Sequence, residues 1–251
     1  MGDRFVPDRV RCARALALVA GLAAASWVAA QGAGPVAVRA YGNFAHLART
    51  GDSSAKIALE DLPAKPGIYA LGALAGLRGE VLVWDGERLV TRGHSPEGRT
   101  EAARRDDSAT LLALAEVTAW AEVPVPSDMK QAQFEAFVLA QAAARGLDAA
   151  RPFAFLVRGE FPTLLWHVVT GAPGSGHGAT HAQGHAAKRV FDERDVAGVM
   201  LGFYSGDAFE GVISHPGERF HVHYANGDFT RSGHVDGYAV RAGATLSLPR
   251  S

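Results

Sequence analysis

Phe220 to Val235 reads FHVHYANGDFTRSGHV. His221 and His223 stand two apart in an aromatic, β-branched run. Side chains of a strand alternate between its faces, so both imidazoles point one way and Val222 points the other. Asn226-Gly227-Asp228 then forces a turn. A turn centred on Gly227 and Asp228 sets His234 across from His221. A turn one residue earlier makes it a diagonal neighbour, still within reach. Either register brings three imidazoles together. Three histidines are a common catalytic zinc set because further positions stay open to water or substrate. Manganese, iron and copper also accept imidazole, so spacing does not name the metal. Histidines that merely occupy a half-buried sheet face are the plain structural alternative. That reading suits a single histidine better than a pair with a third on the adjoining strand.

Outward from this stretch the chain reads mostly as strand. VAGVMLGFYSG from Val196, GHVDGYAV from Gly233 and ATLSL from Ala244 all fit. Arg151 to Val169 is expected to form a hairpin turning near Gly159. Glu80–Trp84 and Arg88–Thr91 form another around the Asp85-Gly86 turn. Leu111 to Val125 is apolar, and periodicity does not separate strand from buried helix there. Helices are expected at Asn43–Thr50, Ser54–Leu62 and Ser127–Arg145. In the last, Ser127 is the expected N-cap, Gly146 the C′ residue, and Phe134, Phe137 and Val138 a core stripe. Arg92 to Asp107 reads as a polar loop. Thr170 to Ala187 is rich in Gly and His. The expected class is α+β, two β-rich lobes with few helices. The lobes are placed at 31–172 and 190–251, with a connection at 173–189. His177, His181 and His185 recur every four residues in that connection, where the glycines argue for a loop over a helix. His46, His94 and His215 show no constellation.

The chain has 251 residues and a formal net charge of -1, with charges of both signs scattered along it. No basic run tracks a phosphate backbone, so nucleic acid is not an expected partner. Arg4, Arg9, Arg11 and Arg14 precede the uncharged ALALVAGLAAASWVAA, Ala15 to Ala30. This is the layout of a secretory signal peptide over 1–30, cleaved before Gln31. The apolar run falls short of the roughly 20 residues that span a bilayer, so an uncleaved anchor is the weaker reading. The mature chain is expected to be exported, periplasmic or secreted, and not membrane-bound. The single cysteine, Cys12, lies in the basic head. A metal site in the remainder must therefore use nitrogen and oxygen donors.

An HxH strand also occurs in cupin barrels, but YANGDFTRSGH after the pair lacks the usual Glu and brings the third His too early. Leu201 to Tyr238, LGFYSGDAFEGVISHPGERFHVHYANGDFTRSGHVDGY, instead resembles the C-terminal part of alpha-acetolactate decarboxylases. That family runs from a GF segment to an HxH strand and then a GGHV segment. Here the last reads Ser232-Gly233-His234-Val235. Gly76 to Gly86, GLRGEVLVWDG, is similar to the family's LDGE segment. Tyr41 to Leu62 is similar to its opening helices, and Phe153 to Val169 to its central hairpin.

The resemblance implies zinc at His221, His223 and His234 and a catalytic carboxylate at Glu80. It implies decarboxylation of a small 2-hydroxy-3-oxo acid, as in acetolactate to acetoin. The sequence does not give the oligomeric state, and a homodimer is the assembly to test. Without the resemblance, Glu80 reads as a solvated residue at the start of a strand. His167 stands where the family's central hairpin usually carries an arginine for the substrate carboxylate. It is the second catalytic candidate, although it lacks an arginine's bidentate fork. A structural hydrogen bond is its plain alternative. Ala73 replaces a common threonine, and the tail LSLPRS lacks the family's further glutamate. These changes define a second expectation: a zinc-binding protein on the same scaffold, without acetolactate decarboxylase activity or with an unassigned substrate.

Overall fold

The computed structural model describes residues 36–171 and 188–250, which lie within one compact unit. The expected signal peptide and the His177, His181 and His185 series fall outside the described residues. Two seven-stranded sheets and two α-helices make up the fold. This is the expected β-rich α+β class.

The first sheet uses β1 (Val38–Tyr41), β2 (Ile57–Ala58), β3 (Ile68–Leu74), β4 (Gly79–Trp84), β5 (Glu87–Arg92), β6 (Thr100–Ala102) and β7 (Ser108–Glu116). Its order is β1-β7-β3-β4-β5-β6, with β2 also on β7. β3 is buried along its whole length, as its unbroken apolar run requires. The hairpin β4–β5 turns at Asp85-Gly86, both with positive φ, as expected. Helix α1 (Phe44–Thr50) starts at Asn43, whose side chain accepts the His46 N–H.

The second sheet comprises β8 (Trp120–Pro124), β9 (Met129–Lys130), β10 (Phe153–Val169), β11 (Lys188–Tyr204), β12 (Phe220–Asn226), β13 (Ser232–Val240) and β14 (Thr245–Pro249). Its order is β8-β14-β10-β11-β12-β13-β9. β13 also returns to pair with β10, so β10, β11, β12 and β13 close into a ring. Trp166, Tyr224, Val222, Val235 and Phe161 fill one core on this sheet. A second core joins the two sheets through Leu71, Leu82 and Ala113 of one and Ala154, Leu201 and Phe203 of the other.

Several expectations are corrected. Phe153 to Val169 is one 17-residue strand, not a hairpin. Gly159 does not turn there. It pairs with Gly198, and a Cβ on it would stand 2.5 Å from that of Ala244. It is a close-approach glycine, which local sequence does not distinguish from a turn glycine. The boundary expected at 173–189 falls between two strands that pair with each other in one sheet. The strands on either side of it, β10 and β11, pair from Phe153↔Tyr204 to Val169↔Lys188. The change of sheet falls earlier, between Glu116 and Trp120. Leu111 to Val125 resolves into β7 and β8.

Helix α2 (Gln131–Ala143) begins after Lys130, not Ser127. Met129 and Lys130 are held as a strand against Val240 and Ala239, and the Asp128 carboxylate accepts the Ala242 N–H. These tertiary hydrogen bonds override the local capping signal. Ser54–Leu62 is β2 plus one 3-10 turn, because Lys56 N–H and the β2 backbone bond to β7. The polar loop after Arg92 contains β6, tied down by an Arg92–Asp107 ion pair.

Candidate metal centre

The turn after β12 falls one residue later than the first expectation. His223, not His221, pairs directly with His234. His221 becomes the diagonal neighbour. A five-residue connection through Phe229, at φ 57, sets this register. Val222 and Tyr224 face the core on the opposite side, which fixes both imidazoles on one face. On its other edge β13 pairs with β10, placing His167 directly across from His234. His223, His234 and His167 thus form a row across three adjacent strands.

Ligating nitrogens of His221, His223 and His234 all lie within 4.8 Å of one another, so this trio could hold a metal ion. His221 Nε2 is 3.1 Å from His234 Nδ1. The other nitrogen of His221, Nδ1, is 2.7 Å from the Ile213 carbonyl oxygen. Donation of an Nδ1–H to that carbonyl leaves the Nε2 lone pair facing the cluster, the usual support for a metal-ligating histidine. His223 is 1 % exposed, and neither of its ring nitrogens meets a hydrogen-bond partner in good geometry. Burial drives His221 down to about 3, with nearby His215 and His167 adding to the effect and the Ile213 carbonyl opposing it. Burial, then the neighbouring imidazoles, holds His223 and His234 well below the usual range. All three are therefore neutral at neutral pH and offer lone pairs.

Glu80 comes from the other sheet. It opens β4 opposite Ala73 and is 3 % exposed. Its Oε1 accepts the Val169 N–H at 2.9 Å, and its Oε2 lies 3.7 Å from His223 Nε2. That gap exceeds a hydrogen bond, and with His223 neutral it is not an ion pair. Burial raises the Glu80 carboxyl to about 7, opposed first by His167 and then by the Val169 N–H. A solvated strand-start carboxylate is thus ruled out.

His167 does make the hydrogen bond that its plain alternative required. Its Nδ1 is 2.7 Å from Asp236 Oδ2. The other oxygen, Oδ1, accepts from Lys188 Nζ at 3.2 Å. Asp236 reaches both because β13 slips register there. Leu165 pairs with Gly237 and Trp166 with Val235, leaving Asp236 as a bulge.

Glu80, His167, His221, His234 and Asp236 line a cavity of about 600 Å³, with His223 buried behind them. Phe44, Leu47, Leu111 and Val169 form its apolar walls, and Glu135, Glu218 and Tyr238 line it as well. Helix α1 is docked by the Phe44 and Ala45 N–H groups on the Val212 and Gly211 carbonyls. Phe44 then packs edge-on to His221 at 5.3 Å and against His215 at 4.5 Å.

Sequence reasoning missed His215, Lys188, Asp236 and Glu135 as residues of this cavity. His215 lies on the connection before β12, where no periodicity relates it to the pair, yet its ring is 6.0 Å from that of His234. Asp236 could have been found, being two residues past His234 on the same strand. Lys188 could not, since its place depends on the pairing of β11 with β10.

The alpha-acetolactate decarboxylase family model matches residues 41–248. No curated protein matches the chain. Among solved structures, alpha-acetolactate decarboxylase from Bacillus subtilis strain 168 is similar at a TM-score of 0.72 and 16 % identity, covering 85 % of this chain and 86 % of that one. A Staphylococcus aureus protein of unknown function similar to alpha-acetolactate decarboxylase has a TM-score of 0.69 and 17 % identity, covering 85 % of each chain. At such identities these structures speak for the fold alone. The family match takes in all three clustered histidines, Glu80 and His167. This chain belongs to the alpha-acetolactate decarboxylase family.

Proposed function

We propose that the protein is a zinc-dependent decarboxylase of acetolactate or a related small 2-hydroxy-3-oxo acid, exported and processed before Gln31. The observation that carries this reading is the convergence of three neutral imidazoles with a buried carboxyl from the opposite sheet, of which His221, His234 and Glu80 line one cavity. The donor set fits zinc. It is all nitrogen and held neutral, and it includes the His223 ring, whose buried nitrogens make no hydrogen bond of good geometry among the described residues, with only a weak contact to the Val81 backbone. His221, His223 and His234 would hold the ion. When bound, zinc would supply Lewis acidity toward the hydroxyl and carbonyl oxygens of the substrate.

The remaining chemistry belongs to the chain. Breaking the bond to the carboxylate releases carbon dioxide and sends the electron pair into the neighbouring carbonyl, giving an enediolate. A proton must then return to the carbon that lost the carboxylate. Glu80 is placed for that transfer. Its Oε1 is fixed by the Val169 N–H, and its Oε2 faces the histidines that would hold the ion, so it stands beside the reacting carbon as a proton carrier. The apolar walls of Phe44, Leu47 and Leu111 limit competing protonation by water.

The test is acetoin formation from racemic acetolactate by the zinc-loaded protein, with elemental analysis of the same sample. Expected are stoichiometric zinc and acetoin, both lost in His221→Ala. Stoichiometric zinc without acetoin would favour the second reading, a metal-binding protein with different chemistry. His167 in place of an arginine is the observation behind that reading. Absence of any transition metal in loaded protein would remove both.

A further inference from the structure

We propose that Lys188 binds the carboxylate of the substrate. The proposal rests on the decarboxylase reading for the identity of that substrate. A 2-hydroxy-3-oxo acid is an anion, and the cavity holds Glu80, Glu135, Glu218 and Asp236. Beyond the ion that the histidines would hold, an anion in this space gains from a second positive group. Among the described residues that line the cavity, Lys188 is the one lysine or arginine.

Its position suits the role. Lys188 begins β11 and pairs with Val169, the residue whose N–H holds Glu80. The ammonium is 3.2 Å from Asp236 Oδ1, while Oδ2 of the same carboxylate is 2.7 Å from His167 Nδ1. The His167 ring lies 4.7 Å from that of His234, centre to centre. A continuous chain therefore runs from the ammonium through Asp236 and His167 to the metal centre. An ammonium has three donors, of which the contact with Asp236 uses one. The side chain is 28 % exposed, so the remaining donors can be reached. Asp236 would act as a positioning residue, restricting an otherwise flexible four-carbon stem. His167, tied to Asp236, would supply a hydrogen-bonding edge beside the ammonium.

The plain alternative is that Lys188 only neutralises Asp236. Ligand charge separates the two. The probes are 2,3-dihydroxy-2-methylbutanoate, which keeps the carboxylate but lacks the ketone that drives decarboxylation, and its uncharged methyl ester. Each is titrated calorimetrically into zinc-loaded protein. Wild type is expected to bind the acid roughly tenfold or more tightly than the ester, ordinary for one charge-assisted hydrogen bond. Lys188→Met should abolish that preference and leave the affinity for the ester unchanged, and Lys188→Arg should restore it. An undiminished preference in Lys188→Met, or no preference in wild type, overturns the proposal. These titrations need no turnover. A protein that forms no acetoin yet prefers the acid through Lys188 sinks the decarboxylase reading alone. Acetoin formation with kcat/KM unchanged in Lys188→Met sinks the lysine alone.

Discussion

A carboxyl group buried to 3 % exposure and facing neutral imidazoles has little to stabilise its charge. Glu80 is in that position because Gly79-Glu80 opens β4 where the first sheet meets the second. The Val169 N–H gives it one fixed contact across that junction. Glu80→Gln keeps this contact, since an amide oxygen also accepts. The variant should fold, retain its zinc and bind substrate with a similar KM. Its kcat should fall by about a hundredfold or more, the usual contribution of a general acid. Parallel measurement of zinc content, KM and kcat checks this, and an unchanged kcat would remove Glu80 from the mechanism. Ser232, where the family usually has a glycine, has a visible use: its hydroxyl is 2.8 Å from that of Thr91, a buried link between the sheets.

Strands were legible wherever alternation or a hairpin turn stood in the sequence. FHVHYA, GHVDGYAV and the Asp85-Gly86 hairpin all form as expected. Glycines whose reason lies across space were not legible. Gly159 looked like a turn and is a point of close packing. The bulge at Asp236 was hidden as well, because it exists only through the pairing of β13 with β10. The three histidines could be read because both HxH alternation and the return strand are local. Their exact register could not, since Phe229 lengthens the turn. Gly233 shows how strand packing sets the site. A Cβ there would stand 2.4 Å from the His167 carbonyl oxygen and 2.6 Å from the Trp166 ring. Neither the backbone nor a fully buried indole can yield easily. Gly233→Ala should therefore push β13 away from β10, costing about 1–3 kcal/mol of stability. Zinc affinity should fall too, because His234 is the next residue. Urea denaturation with a zinc titration checks both. Native stability with native affinity would show that the two strands separate freely.

The two sheets together enclose ionisable groups whose preferred charge is neutral, which makes the metal-free molecule sensitive to acid. Burial holds His221 at about 3 in the fold against an ordinary value near 6.5, and His223 and His234 well below theirs. The unfolded chain therefore binds more protons as pH falls from 6.5 toward 3. The stability held by these groups is present above 6.5 and lost through that window. Glu80 works in the opposite sense. Its carboxyl is raised from 4.5 to about 7, so its contribution is present below 4.5 and lost as pH rises through 7. Between 4.5 and 6.5 the effects compete, three groups against one. Three histidines disfavour the fold toward pH 5 while one carboxyl favours it, so the histidines set the sign. The chelator-treated protein should therefore be clearly less stable at pH 5 than at pH 7, as read from denaturant midpoints. Zinc-loaded protein should lose more over the same range, because protons also displace the ion and with it the stability that binding adds. Replacing His223 with Gln should flatten the metal-free profile by removing one of the three titrations. Metal-free stability that stayed level or rose toward pH 5 would mean that burial does not hold the histidines neutral over that range.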